Sequence, residues 1–273
     1  MNITGFFFIF SIGGLIAGFT AGLFGLGGGA VLIPLLLFLL PKIGATMDAA
    51  MHQAVGTSLA IIVFSALVAS LKQYTANNLD LSLLKRWIPF VLLGVLGATA
   101  VFKSIPALTL EVLFMAYLIL CAGYMAFKKL NPATFTKHEK KISLLSLSTA
   151  GVFVGALSTF LGIGGGTFTV PYYMANHYSL KKAIALSSAT GLFIGAVGAL
   201  SAIYSGYNSL GLANYSLGYV NVLSLIIITP FSMFAATYGV KINHRLNEHT
   251  LKLLYLFFLL IIVGYVYCHT FIE

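Results

Sequence analysis

Gly25-Leu26-Gly27-Gly28-Gly29-Ala30-Val31-Leu32-Ile33-Pro34 is the stretch on which the fold turns. It lies in an apolar run with no Asp, Glu, Lys or Arg from Met1 to Pro41. A glycine run makes a poor helix interior, costing about 1 kcal/mol per Gly relative to Ala. An apolar helix is therefore expected to break here and to resume beyond it. The stretch returns, at an offset of 137 residues, as Gly162-Ile163-Gly164-Gly165-Gly166-Thr167-Phe168-Thr169-Val170-Pro171. Other matches accompany it. Val55-Gly56-Thr57-Ser58-Leu59 resembles Ser188-Ala189-Thr190-Gly191-Leu192, and Lys103 and Leu113 match Lys241 and Leu251.

Working outward, the chain divides into two repeats, 1–127 and 144–273, joined by a polar linker at 128–143 that holds Lys128, Lys129, Lys137, Lys140 and Lys141. The composition is 59% hydrophobic and 8% charged, against about 25% charged in an ordinary soluble domain. Charges are also absent from Ile142 to Leu180 and from Ala183 to Val240. A spanning helix needs about 20 apolar residues. Apolar segments are predicted at about 5–24, 29–40, 49–71, 87–103 and 107–127, then at about 144–161, 166–177, 183–204, 219–240 and 250–269. The segments 29–40 and 166–177, at ~1.5 Å per residue, reach about 18 Å and cannot cross a ~30 Å hydrocarbon core. Each reads as a half-helix returning after its Gly-rich break. The expected fold is an all-α polytopic membrane protein of two inverted repeats, each a broken helical hairpin plus about three spanning helices.

Basic residues set the expected orientation. If each break is a hairpin, thirteen of the fifteen Lys and Arg share the side of the linker, and only Lys42 and Lys103 lie opposite. If each break crosses once, the split is eight to seven. The first arrangement puts the linker in the cytoplasm and both termini outside, in a bacterial inner membrane. Tyr204, Tyr207, Tyr215 and Tyr219 then form an outer aromatic belt, and Trp87 follows Arg86 at the inner face. The net charge of +9 sits in connectors, which argues against a nucleic-acid partner. The N-terminal apolar run has no basic start and reads as mature structure, not a cleaved signal. Cys121 and Cys268 fall in apolar runs, with neither metal nor disulfide spacing.

Broken backbone in lipid is tolerated where protein or a water-filled cavity covers it, and paired breaks in inverted repeats mark a transporter's binding site. Glycine admits close approach of a ligand to backbone N–H groups, and the half-helix that follows turns its positive end toward it. Both features favour an anion. The candidate binding residues are Gly27, Gly28, Gly29, Gly164, Gly165, Gly166 and Thr167 at the breaks. His52, Gln53, Thr57, Ser58, Ser187, Ser188 and Thr190 join them as intramembrane polar groups able to donate to oxyanion oxygens. Ser and Thr also bond their own helices, and Gly18 to Gly22 suits helix packing, so structural roles compete with binding. Gly25-x-Gly27-x-x-Ala30 lacks the strand of a dinucleotide site, and no Lys-Ser/Thr follows it.

The doubled Gly-x-Gly-Gly-Gly-x-x-x-x-Pro motif, at Gly25, Gly27, Gly28, Gly29 and Pro34 and again at Gly162, Gly164, Gly165, Gly166 and Pro171, resembles the TauE/SafE family of membrane permeases, the sulfite exporters. Length and two-half layout resemble it as well. The resemblance implies transport of sulfur-containing anions such as sulfite, sulfoacetate or other organosulfonates. Asp48, Asp80, Glu111, Glu139, Glu248 and Glu273 all lie in connectors or at segment ends, which gives a Na⁺ site or carboxylate relay little support. No cofactor, metal or catalytic residue is expected. An interior-negative potential expels an anion with about 2.3 kcal/mol per charge per 100 mV; uniport down that gradient is the simplest mechanism, and proton coupling through His52 is the alternative. Two other classes compete. An intramembrane enzyme lacks a His-Glu-x-x-His or Gly-x-Ser-x-Gly signature here, and a non-transporting assembly or regulatory protein would carry no flux.

Overall fold

The computed structural model describes residues 3–25, 27–127 and 142–264, apart from 248, 252, 255, 258, 259 and 262. Most of the linker and Cys268 therefore lie outside the described residues. Among the described residues up to 245, nine α-helices follow in order: α1 (Ile3–Phe24), α2 (Gly29–Leu39), α3 (Met47–Thr75), α4 (Leu81–Phe102), α5 (Ala107–Phe127), α6 (Leu144–Phe160), α7 (Gly166–Ala175), α8 (Leu180–Gly206) and α9 (Val222–Arg245). Further helical residues occur between 249 and 264. Apart from a 3₁₀ turn at Pro41–Ile43, the remaining element among the described residues is a two-residue β ribbon, Ser216–Leu217 against Val220–Asn221. The protein is an all-α polytopic membrane protein. Helices α1, α3, α4, α8 and α9 are each long and apolar enough to cross a bilayer, and α2 and α7 are short, as their sequences require.

Local chemistry explains where the helices start. Thr46, Asp80, Ser143, Ser179 and Asn221 cap α3, α4, α6, α8 and α9, each accepting a hydrogen bond from a first-turn N–H. Such a cap satisfies one of the N–H groups that have no partner inside the helix. The half-helices differ. They start on Gly28 and Gly165, at φ of 82° and 76°, with no side-chain cap. That left-handed backbone costs an L-residue about 1–2 kcal/mol, and glycine avoids the cost. Pro34 and Pro171 occupy the sixth position of each half-helix, and Pro89 and Pro230 each follow their α4 and α9 caps by nine residues.

Helices α3 and α8 pack against each other and form the buried centre, with 72% of the most apolar stretch of each buried. Around them α1 packs along α9, and α4 along α6. The most extensive helix contacts thus join the two halves of the chain, which interlock instead of forming separate bundles. Glycines let these backbones meet. Gly18 lies against the backbone of Ser232 and Gly22 against Ala236, while Gly155 lies against Val91 and Gly94 against Val152. Large apolar side chains such as Phe7, Phe8, Leu93, Leu120, Phe153 and Phe234 point outward, as a lipid-facing perimeter requires.

The connectors gather at two ends. At one, Lys181 Nζ donates to the His244 carbonyl and Asn78 Nδ2 lies 3.3 Å from His244 Nδ1. At the other, Thr46 N donates to Gly211 O, and Asn214 N to Ile43 O. Tyr204, Tyr207 and Tyr215 are exposed at this second end. Tyr219 departs from the expected belt. The ribbon turns at Gly218, and Tyr219 N reaches Ala202 O, which carries the ring into the core. Trp87 departs too: it is fully buried, its indole N–H donating to Thr190 Oγ1 and its ring stacked on Tyr172. Burial of the large ring, with its N–H satisfied, outweighs an interfacial position.

Candidate functional site

The two Gly-rich breaks meet inside the protein. A Cβ placed on Gly27 would lie 3.0 Å from Gly164 Cα and 3.0 Å from Ile62 Cγ2, and one on Gly29 would strike Gly162 O and Ile163 Cα. Any side chain at Gly27 would force the two loops apart. Both half-helices start at this junction. α2 leads away to the end that carries Lys42, and α7 to the end that carries Lys181. Two helix amino ends, neither with a side-chain cap, therefore converge deep in an apolar molecule. Each offers first-turn N–H groups and a positive dipole end. Leu26 lies outside the described residues, and so does the side chain of Thr167.

Two serines hold the breaks in place. Ser58 Oγ on α3 donates to Gly162 O at 2.8 Å, and Ser187 Oγ on α8 donates to Gly25 O at 2.7 Å. Each serine thus satisfies a carbonyl of the opposite half's break, at equivalent places in the doubled motif. Both are fully buried, where an unpaired carbonyl would be costly. A third tie is Asn243 Nδ2, which donates to Leu23 O at 2.7 Å at the end of α1.

The other polar candidates are placed differently. Gln53 bridges the loop after α8, donating to Ser216 Oγ and accepting from Ala213 N. Thr57 accepts from Asn221 N, and Thr190 accepts from Trp87. Thr57 and Thr190, aligned by sequence, thus take unlike partners. The pair with matching bonds is Ser58 and Ser187. Ser188 and Thr190 donate to their own helix, at Ile184 O and Leu186 O. His52 sits apart from the breaks, stacked on Tyr219 at 5.2 Å and edge-on to Phe102 at 5.1 Å, its Nε2 without a hydrogen-bond partner. It lines a cavity of about 530 Å³ at the Lys42 end, together with Thr46, Asp48, Lys103 and Tyr219. Lys103 also borders a neighbouring cavity of about 760 Å³ with Tyr204 and Tyr207.

Sequence reasoning passes over two buried hydroxyls at the second break. A Cβ on Gly165 would lie 3.5 Å from Ser158 Oγ and 3.6 Å from Thr169 Oγ1. Both residues are fully buried and neither hydroxyl has a hydrogen-bond partner. Comparing the two copies would have found them, because the 137-residue offset puts Ala21 and Leu32 at these places in the first copy.

The family model described as Sulfite exporter TauE/SafE matches residues 10–266. A Haemophilus influenzae protein named "Probable membrane transporter protein" is 30% identical, over 91% of this chain and 93% of its own. Proteins of the same description from Methanocaldococcus jannaschii and Bacillus subtilis are each 28% identical, covering 88% and 94% of this chain and 88% and 96% of their own. No solved structure matches.

Proposed function

The chain belongs to the sulfite exporter TauE/SafE family, a family of membrane transporters, and from that premise we propose that it exports a small anion, sulfite or an organosulfonate such as sulfoacetate, by alternating access between two inverted halves. The observation that carries this reading is the meeting of two uncapped half-helix amino ends at Gly27–Gly29 and Gly164–Gly166. Two positive ends and unpaired N–H groups favour a negative ligand. The candidate positions have no Lys or Arg among them, so the site holds its anion through dipoles and neutral donors, and can release it.

Helix packing supports the inversion. Exchanging α1 with α6, α2 with α7, α3 with α8 and α4 with α9 converts each main contact into another: α1–α9 becomes α6–α4, and α3–α9 becomes α8–α4. The same exchange relates Ser58 on Gly162 to Ser187 on Gly25. In this reading Ser58 and Ser187 are positioning residues, because their protons are already placed on break carbonyls. Thr57, Ser188 and Thr190 brace the surrounding helices. The cavity lined by His52 and Lys103 is the outer vestibule, and the end with Lys181 and Arg245 faces the cytoplasm of a bacterium, with both termini outside.

Flux tests the proposal directly. Purified protein in liposomes loaded with sulfite should release it without any partner, faster when the interior is negative. Isothermal titration should show sulfite and sulfoacetate competing with each other. A neutral sulfone that bound as tightly as these anions would defeat the dipole-based site.

A further inference from the structure

We propose that the side-chain donors for the anion come from the second break alone, as the Ser158 and Thr169 hydroxyls beside the amino end of α7, so that the two breaks are alike in backbone and unlike in chemistry. This rests on the transporter reading above and deepens it by assigning the donors.

Buried hydroxyls in this protein normally find a carbonyl. Thr20 donates to Ile16 O, Thr159 to Gly155 O, Ser188 to Ile184 O and Thr190 to Leu186 O, each one turn back on its own helix. Ser158 and Thr169 do not, although both are fully buried; Thr229 and Ser232 on α9 are also without a partner, but Ser232 packs against Gly18 of α1, whereas Ser158 and Thr169 share one break. For Thr169 the reason is visible. The carbonyl one turn back is Gly165 O, which already accepts from Phe168 N and Thr169 N, and a carbonyl oxygen has two lone pairs. A buried hydroxyl without a partner is costly, and one on the ligand path points to a partner that arrives with the ligand.

Geometry aims both groups at one place. Side chains on a helix lean toward its amino end, so Thr169, in the second turn of α7, leans back over Gly165. Ser158 lies in the last turn of α6, and the chain folds over it, with Ile163 N donating to Ser158 O at 3.0 Å. The position a Gly165 Cβ would take is 3.5 Å from one hydroxyl and 3.6 Å from the other. The absent side chain leaves the two hydroxyls converging beside the uncapped first turn of α7, with the Ile194 Cδ1 methyl, 2.8 Å from the same position, closing the space. Two O–H donors and the first-turn N–H groups make a donor set for oxyanion oxygens, with no acceptor needed. The first break offers nothing comparable, because Ala21 and Leu32 stand where Ser158 and Thr169 stand in the second.

The experiment is isothermal titration and thermal melting of the purified full chain with sulfite and with sulfoacetate, for the wild type, S158A, T169V, the double variant and T159V. Each single variant of the pair should weaken anion binding about tenfold or more, the worth of a hydrogen bond to a charged group. T159V removes a hydroxyl already bonded to its own helix and should bind as the wild type does. Without ligand, S158A and T169V should melt no lower than the wild type, because each removes a hydroxyl that has no partner. A double variant that binds both anions within twofold of the wild type overturns the assignment. So does a lowered melting temperature in unliganded S158A, which would mark a structural hydrogen bond. A wild type that binds neither anion overturns the sulfur-oxyanion reading itself, and this site with it.

Discussion

At the scale of single residues, the breaks depend on glycine for two separate reasons. Gly28 and Gly165 hold positive φ, and Gly27 and Gly29 lie against the backbone of the opposite break. Gly165→Ala therefore faces backbone strain of about 1–2 kcal/mol, and its Cβ would also press on Ile194 Cδ1 at 2.8 Å. Gly28→Val and Gly165→Val should abolish transport while the protein still inserts; liposome flux beside detergent-solubilised yield measures both, and wild-type flux in the two variants would refute the site. Ser58→Ala and Ser187→Ala each strand a buried carbonyl, a loss of about 1–3 kcal/mol. Melting curves should show both variants destabilised to a similar extent. A neutral result for either would mean that its break is held by other contacts.

At the scale of helices, the caps divide the structure into supports and a site. Five helices start on polar side chains and are finished as protein, whereas the two half-helices start on bare glycine. Asp80 illustrates the supports. Hydrogen bonds from the Leu83 and Ser82 N–H groups and the Ser82 hydroxyl, with the Lys182 charge, hold its carboxyl below the usual carboxylate range against a smaller opposing effect of burial. The folded pKa is depressed, so the stabilisation is present above the unfolded pKa and fades as pH falls through the folded one. Asp80→Ala should cost about 1 kcal/mol near neutral pH, and the gap to wild type in melting temperature should shrink in strong acid. Asp80→Asn should keep the cap at every pH, so in strong acid the wild type should lose ground to it by the same amount. Helix packing makes a second demand. Gly18→Leu and Gly155→Leu would each drive a side chain into the facing backbone of α9 or α4, with overpacking of about 3 kcal/mol. Both should lower the yield of folded protein in size-exclusion profiles, and a normal profile for either would show that its helix pair can separate.

At the scale of the whole molecule, the two ends are chemically unlike. The end where His244, Lys181 and Asn78 meet collects the basic connectors, and the other holds Lys42 and Lys103 among exposed tyrosines. On the proposed orientation, which puts the linker in the cytoplasm, single cysteines at 135 and at Leu210, which is 92% exposed, should react with an impermeant maleimide from opposite sides of the membrane. Labelling of both from one side would sink the orientation.

Charge-free apolar runs and a doubled glycine motif determined, from sequence alone, that the chain is a helical membrane protein with two broken helices. Hydropathy, propensity and repetition are local properties that need no partner to be read. The helix spans at 5–24, 29–40 and 166–177 were legible for that reason. What each polar side chain does was not. Ser58 and Thr57 are neighbours on α3, yet one reaches Gly162 and the other Asn221, more than a hundred residues away. Tyr219 and Trp87 look interfacial by position and are core by packing. Ser158 and Thr169 read as ordinary hydroxyls until the fold shows that neither has a partner and that the carbonyl one turn back from Thr169 is already taken. A hydrogen bond is decided by which groups the tertiary structure brings within about 3 Å, and helical spacing along the chain carries no information about that.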